Sequence, residues 1–350
     1  MYGSRLHRPC RLIVVWILLL AVVATAQPLD IDERLTRLRT EPDVTFGTSP
    51  SDDLTALPAD MLALVSWNIQ VGDTSPSASA LRPPQVEMAL ATLFGGTYQL
   101  LAAQEISSQA HADKLRDLLP GPASGWTTSF TDTTSTMDNG FWFKSSVTAR
   151  ADTAILHTGA TDPVGRYLID PLRAKHPPRI GHFTIGDFDF TLITLHLTFE
   201  SGATAESARE FRAVLDYLDA YFNTTGHDPD VIITGDFNMP SQLSGQSGIT
   251  IDGLLDSDPR FQTGDRRLVV TVHERTSRSS SGQPTNNYDH LILSADCMEE
   301  FVQARRVDTN ILLERSGEVQ PDGARRLTSD HFPIVAFFRT SGTGVARDLP

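Results

Sequence analysis

Cysteine, basic side chains and long apolar runs are all scarce in this sequence, and each shortage narrows what the chain can do. Cysteine occurs only at Cys10 and Cys297. Cys10 lies in a stretch that reads as a removable leader, so Cys297 would stand alone and no intrachain disulfide could form in the mature chain. Stability would then come from packing or bound metal. Basic residues are outnumbered, with 29 Lys and Arg against 43 Asp and Glu and a formal charge of −14. Lys and Arg contacts to phosphate supply most non-specific affinity for nucleic acid, so gripping a polyanion by a basic surface is excluded. A phosphate substrate would need a bridging cation. The apolar run Leu12 to Ala24 falls short of the ~20 residues that a membrane-spanning helix requires. Arg5, Arg8 and Arg11 precede or open this run, and Ala24-Thr25-Ala26 supplies a small-x-small cleavage signature. Residues 1–26 are therefore expected to be a signal peptide, and the protein to be secreted or periplasmic. Its removal takes away three arginines and no acids, which moves the formal charge to −17.

What is present is a long globular body with no repeat at solenoid periods. Residues 27–60 read as an N-terminal extension and linker: Asp30 to Thr40 carries a short amphipathic pattern, and Glu41 to Leu57 is rich in Pro, Ser, Thr and Asp. Residues 61–340 form the expected domain, and 341–350 an aperiodic tail expected to be disordered. Strand patterns recur at Leu62–Trp67, Leu100–Ala103, Gly140–Phe143, Ala154–His157, Ile180–Ile185, Phe188–Leu197, Val231–Thr234, Val269–Val272, His290–Ser294 and Pro333–Arg339. Gln85–Leu93, Ser108–Leu119 and Ala205–Phe222 repeat apolar residues at helical steps. Strands mixed with helices, and hairpin-like spacing in the middle, suggest sheets covered by helices and not a purely βαβ repeat.

The chemistry gathers at strand ends. In "VIITGDFNMP" the β-branched run stops at Gly235, followed by Asp236 and Asn238; alone, this reads equally well as a turn. Five more strand ends behave alike. "SWN" delivers Asn68, "QE" delivers Glu105, "LHL" delivers His196, "YDHLILS" delivers Asp289, and "SDHFP" delivers Asp330 and His331. Six such termini carrying carboxylates, amides and histidines are hard to attribute to packing, because buried charges are costly unless paired or bound to metal.

In order and completeness these six motifs resemble the endonuclease/exonuclease/phosphatase superfamily, which includes pancreatic-type DNases, exonuclease III, bacterial sphingomyelinases and inositol polyphosphate 5-phosphatases. They run from about Leu62 to Arg339. The resemblance implies an α+β fold, a four-layer αββα sandwich of two packed mixed sheets flanked by helices, with the site at one edge of the sheets. It also implies a metal-dependent phosphodiester hydrolase. Such hydrolysis needs an in-line nucleophile, neutralised phosphoryl oxygens and help for the leaving oxygen. Glu105 and Asn68 would hold a hard cation, Mg²⁺ with Mn²⁺ as the alternative, and Asp330 would serve that metal or a second one. Asp236 would orient or deprotonate water, and Asn238 would donate to the phosphate or hold Asp236 in place. His331, oriented by Asp289, would be the second acid-base or charge-stabilising group, and His196 a donor to a phosphoryl or leaving oxygen.

Many DNase-like members also carry an arginine in an Arg-x-Pro setting. Here "DPLRAKHPPRIGHF" offers Arg173 and Arg179 at spacings that do not match, and Arg173 is the candidate for substrate phosphate. Nucleic acid is the expected substrate, the protein is expected to be a monomer, and no stable membrane association is expected. The polar stretch "TSRSSSGQPTNN" gives no greasy docking loop of the kind a sphingomyelinase would use. The alternatives are a sphingomyelinase-type phospholipid or small-diester phosphodiesterase or phosphatase, and a non-catalytic binding protein on the same fold.

Overall fold

Val231 to Thr234 are all buried because their strand is covered on both faces, and this double burial explains why the segment reads as a continuous apolar run. Ile232 points into the core between two sheets, whereas Val231 and Ile233 point to the opposite side, against helices. The computed structural model describes residues 59–69, 97–132, 137–150, 176–199, 204–224, 226–242, 248–277, 284–309 and 329–341. The strands are β1 (Met61–Asn68), β2 (Leu100–Ile106), β3 (Trp126–Ser129), β4 (Asp138–Lys144), β5 (Thr148–Ala149), β6 (Arg179–Ile185), β7 (Phe188–His196), β8 (Val231–Asp236), β9 (Leu268–Val270), β10 (Asp289–Ser294), β11 (Phe301–Arg306) and β12 (Ile334–Arg339). The α-helices are α1 (Gln109–Leu118), α2 (Thr204–Phe222) and α3 (Ile251–Asp256).

The strands form two six-stranded mixed sheets, in the orders β11-β12-β1-β2-β4-β3 and β5-β6-β7-β8-β10-β9. In each sheet the parallel pair is central, β1 with β2 and β7 with β8, and the outer neighbours run antiparallel. β1 and β2 face β7 and β8 across a core that holds Leu64, Phe141, Phe190 and Ile232. A second core, with Trp67 and Trp142, lies between the first sheet and α1. A third lies between the second sheet and α2 with α3, where Phe211, Leu218 and Phe237 are buried. Period-two alternation sends Leu62 and Leu64 inward between the sheets, and Ala63, Val65 and Trp67 outward to the helix side. The result is the four-layer αββα sandwich that the motifs implied.

Local sequence sets the helix ends and the turns. Ser108 caps α1 by accepting from the His111 amide, and the segment that follows runs into Leu119-Pro120, which cannot continue the helix. Gly235 sits at φ +130°, where a Cβ would come 2.0 Å from the Leu195 carbonyl oxygen, so only glycine lets β8 lie against β7 there.

Sequence and structure differ mainly at the edges. β3, β5 and β11 were not expected. β11, Phe301–Arg306, is an edge strand with exposed and charged residues, so it lacks the apolar run of an inner strand. The strand expected at Ala154–His157, the helix at Gln85–Leu93, the amphipathic pattern at Asp30–Thr40 and the leader at 1–26 lie outside the described residues. Among the described residues, no helix is long and apolar enough to cross a membrane.

Candidate active site

The strand registers build the site. His196, the last residue of β7, pairs with Asp236, the last of β8, and Asp236 pairs on its other side with Asp289, the first of β10. Three chemical groups thus share one row across neighbouring strands. Across the sandwich, Asn68 ends β1 and donates from Nδ2 to Glu105 Oε1 and to Asp236 Oδ2, both at 3.0 Å. That carboxamide joins the two sheets at their active edge. Gln104 makes a second tie beneath it by donating to Thr194 Oγ1 at 2.8 Å.

The loop carrying His331 is docked by its backbone. Ser329 donates to the Asn68 carbonyl at 2.6 Å and accepts from the His331 amide at 3.1 Å, while the Trp67 indole donates to the His331 carbonyl at 3.1 Å. His331 Nδ1 then lies 2.7 Å from Asp289 Oδ2, which leaves Nε2 3.5 Å from Asp236 Oδ2 and 3.9 Å from Asp330 Oδ1. His196 Nε2 sits 3.7 Å from Asp236 Oδ2 and 3.8 Å from Glu105 Oε1. All eight of these candidates, Asn68, Glu105, His196, Asp236, Asn238, Asp289, Asp330 and His331, converge on one edge of the sandwich. Arg173 lies outside the described residues. Arg179 is buried and directs its guanidinium to Ser129 and Thr131, so it does not serve the site.

Two backbone conformations mark the same edge. Glu105 has φ +64° beside a register shift between β2 and β4, and Asn238 has φ +47°. Left-handed non-glycine residues cost on the order of 1–3 kcal/mol, and such strain concentrates at functional sites. Asn238 holds Asp236 through its main-chain amide, 2.8 Å from Oδ1, while its carboxamide nitrogen donates to the Leu197 carbonyl at 2.7 Å. Of the two roles anticipated for Asn238, holding Asp236 is the one this geometry makes.

Burial pushes the Asp236 carboxyl up to about 6, against the pull of His331 and with a further push from Asp289. Burial opposes charge on His331, yet the Asp289, Asp236 and Asp330 carboxylates hold its imidazole well above the ordinary histidine value. The pair therefore offers a carboxylate base beside an imidazolium.

The donor chemistry suits a hard divalent cation. Four carboxylates, Glu105, Asp236, Asp289 and Asp330, meet at one edge, and the buried Asp289 Oδ1 has no hydrogen-bond partner among the described residues. Asp236, Asp289 and His331 bring ligand atoms within 4.8 Å of one another. Because His331 Nδ1 already bonds Asp289, that trio is better described as a hydrogen-bonded acid-base set. Asn68 as placed presents its NH₂ to both Glu105 and Asp236, and its Oδ1 becomes a ligand only with the amide turned over.

A cavity of about 480 Å³ opens over these groups, and among the described residues lining it none is arginine or lysine. Three of its lining residues were not legible in the sequence. His176 stacks on His196 with ring centroids 5.0 Å apart and 10° between planes, and Phe199 and Tyr288 form part of the wall. His176 sits in the proline-rich stretch where an arginine was sought, and its ring chemistry was the available signal.

The sequence matches the Endonuclease/Exonuclease/phosphatase family over residues 65–331. The chain belongs to this family. Its members are generally hydrolases acting on phosphodiester bonds, commonly with divalent metals, and membership supports a metal-dependent, nuclease-like hydrolase here. Solved structures agree on the fold. Humanized D. rerio TDP2 with 14 mutations superposes with a TM-score of 0.53 at 16% identity, covering 80% of this chain and 100% of its own. D. rerio TDP2 complexed with single strand DNA product gives 0.51 at 17%, covering 80% and 99%. A family protein from Bacteroides thetaiotaomicron gives 0.53 at 16%, covering 79% and 97%. No curated protein sequence matches the chain.

Proposed function

We propose that this family member is exported and hydrolyses phosphodiester bonds in nucleic acid as a DNase-like endonuclease, with Mg²⁺ as its cation. The observation that carries the hydrolytic part is the row His196, Asp236, Asp289 closed by His331, which places a base and an acid within 3.5 Å of each other at the mouth of the cavity. Asp236 takes a proton from water as the new O–P bond forms. The P–O bond to the leaving oxygen breaks on the opposite face, where that oxygen takes a proton from solvent, and His331 as imidazolium passes a proton to solvent and recovers one from Asp236. His196 faces the phosphoryl oxygens. Asp289 keeps the His331 ring turned and favours its charged form. A divalent cation held by Glu105, Asn68 and Asp330 would neutralise charge on the phosphoryl group.

Nucleic acid as substrate is supported by the DNA product seen with D. rerio TDP2 and by the lack of a greasy docking loop in "TSRSSSGQPTNN". Export is supported by the arginine-flanked apolar run and the Ala24-Thr25-Ala26 signature. The test compares initial rates on supercoiled plasmid and on sphingomyelin vesicles at matched phosphodiester concentration in Mg²⁺. Plasmid is expected to be nicked without strong sequence preference and vesicles to be turned over poorly. An acidic chain neutralises few phosphates, so log affinity against log salt should slope by only about 2 to 4. Vesicle turnover without nicking overturns the nuclease reading.

A further inference from the structure

We infer that Phe199 and Tyr288 form a stacking platform for a nucleobase flanking the scissile phosphate. Among the described residues only Phe199 and Val302 are large hydrophobic side chains left exposed, and Phe199 is 59% exposed. The residue before Phe199 is firmly held. Every polar group of the preceding Thr198 is tied to α2: its amide and hydroxyl donate to the buried Glu210 carboxylate at 2.7 and 2.8 Å, and its carbonyl accepts from Ser207 Oγ at 2.7 Å. The fold thus uses a buried carboxylate to fix the residue before an apolar ring that stands out in solvent. A backbone fixed immediately before the ring leaves less to be ordered when a ligand arrives.

Its surroundings narrow the ligand. Tyr288 packs beside Phe199 as a tilted pair, ring centroids 6.3 Å apart at 48°, so the two rings make one aromatic surface on which a flat ring can lie. Both rings line the cavity that contains Asp236 and His331. Phe199 follows His196 by three residues, so it lies within about 10 Å of the catalytic row along the chain. Tyr288 immediately precedes Asp289, and its carbonyl accepts from the Phe237 amide at 2.8 Å. Asn286 is exposed on the same wall and offers a carboxamide, which carries both donor and acceptor. A flat π-face with a two-sided hydrogen-bonding edge, next to a phosphodiester, is the chemistry of a nucleotide. Stacking tolerates every base, which fits cleavage without sequence preference. One phenylalanine beside acidic and amide groups is poorly suited to entering a bilayer, where a broad apolar face with cationic neighbours binds best.

This inference rests on the nuclease reading, and the experiment separates the two. The unaltered chain and Phe199→Ala are compared in Mg²⁺ on a thymidine octamer and on an octamer in which every base is replaced by an abasic unit. With the thymidine octamer, Phe199→Ala should raise KM about 5- to 100-fold with a smaller change in kcat, and Phe199→Trp should restore most of it. Removing the bases should cost the unaltered chain a comparable factor, and the two losses should not add. Equal losses for Phe199→Ala on both octamers, or no loss on either, overturn the platform while leaving the nuclease reading standing. Failure of the unaltered chain to cut the thymidine octamer while it nicks plasmid overturns the platform alone, and failure on both octamer and plasmid overturns both. Loss confined to sphingomyelin vesicles would assign Phe199 to a lipid surface and overturn the platform.

Discussion

His331 Nδ1 and Asp289 Oδ2 lie 2.7 Å apart, joined although 42 residues separate them in the chain, and this contact turns the other ring nitrogen toward Asp236. The two residues act as a unit. His331→Ala is expected to cut kcat by about 10²- to 10⁴-fold, the range for a positioned proton-transfer group. Asp289→Asn added to His331→Ala should cost no more than His331→Ala alone, because groups that act together are not additive. Steady-state kinetics of the two single variants and the double variant on plasmid settle this, and additive losses would give Asp289 a separate role.

In the proposed mechanism Glu105 is the first of the carboxylates that would hold the cation. Excess EDTA should abolish nicking, and added Mg²⁺ should restore it. Loss of even an outer partner of a metal site costs about 10- to 100-fold in affinity, so Glu105→Ala should raise the Mg²⁺ concentration for half-maximal activity at least about tenfold. Calorimetric titration of Mg²⁺ into both proteins reads the same difference without turnover. Full activity in EDTA would remove the metal from the mechanism.

Gly235 has no tolerated replacement. In Gly235→Ala the new methyl would meet the Leu195 carbonyl at 2.0 Å at a φ of +130°, and neither strand has slack to give. Such misplaced Gly→Ala changes destabilise by more than about 1 kcal/mol, and backbone contact on this scale should cost several times that. Thermal unfolding is the measurement. A melting temperature within a degree or two of the unaltered protein would show that β7 and β8 separate more easily than their pairing suggests.

Away from the active edge, Asp228 and Asp230 enter β8 among Asp189, Asp296 and Glu300, and burial pushes their carboxyls up to about 8 and about 9. Both values lie above the ordinary 3.8. Between about pH 4 and pH 9 the folded chain keeps protons that the unfolded chain has released, so these groups lend stability at low pH and withdraw it as pH rises through their folded values. The double variant Asp228→Asn with Asp230→Asn cannot ionise at either position, and a carboxamide oxygen at position 228 would still accept from the amide of residue 230 as Asp228 does at 2.9 Å. The drop in melting temperature between pH 6 and pH 9 should therefore shrink by several degrees in that variant. An unchanged drop would show that both carboxyls are already ionised at pH 6.

The inner strands and the two long helices were legible because their residues repeat with the period of the face they bury: Leu62 to Trp67 alternates between two cores, and α2 was expected at Ala205–Phe222 and runs from Thr204 to Phe222. The site was legible for a different reason. A carboxylate or histidine that closes an apolar run has few structural uses, and Asn68, Glu105, His196, Asp236 and Asp289 all sit at strand ends. Edge strands escaped notice because an edge needs only one apolar face, and β11 carries Gln303, Arg305 and Arg306. His176 and Phe199 escaped because what marks them is spatial: a ring stacked on His196, and a ring left in solvent by a clamp from another helix.

The single row that holds His196, Asp236 and Asp289 also makes enzymatic activity a clock for assembly. Side chains alternate along a strand, so a slip of one residue in either the β7–β8 or the β8–β10 ladder would turn an essential group to the wrong face. During refolding, α2 can form early from local contacts, whereas the β8–β10 ladder must first close the loop between positions 236 and 289, a slower event. The far-ultraviolet helical signal should then recover first, and turnover should reappear only when both ladders have locked in place.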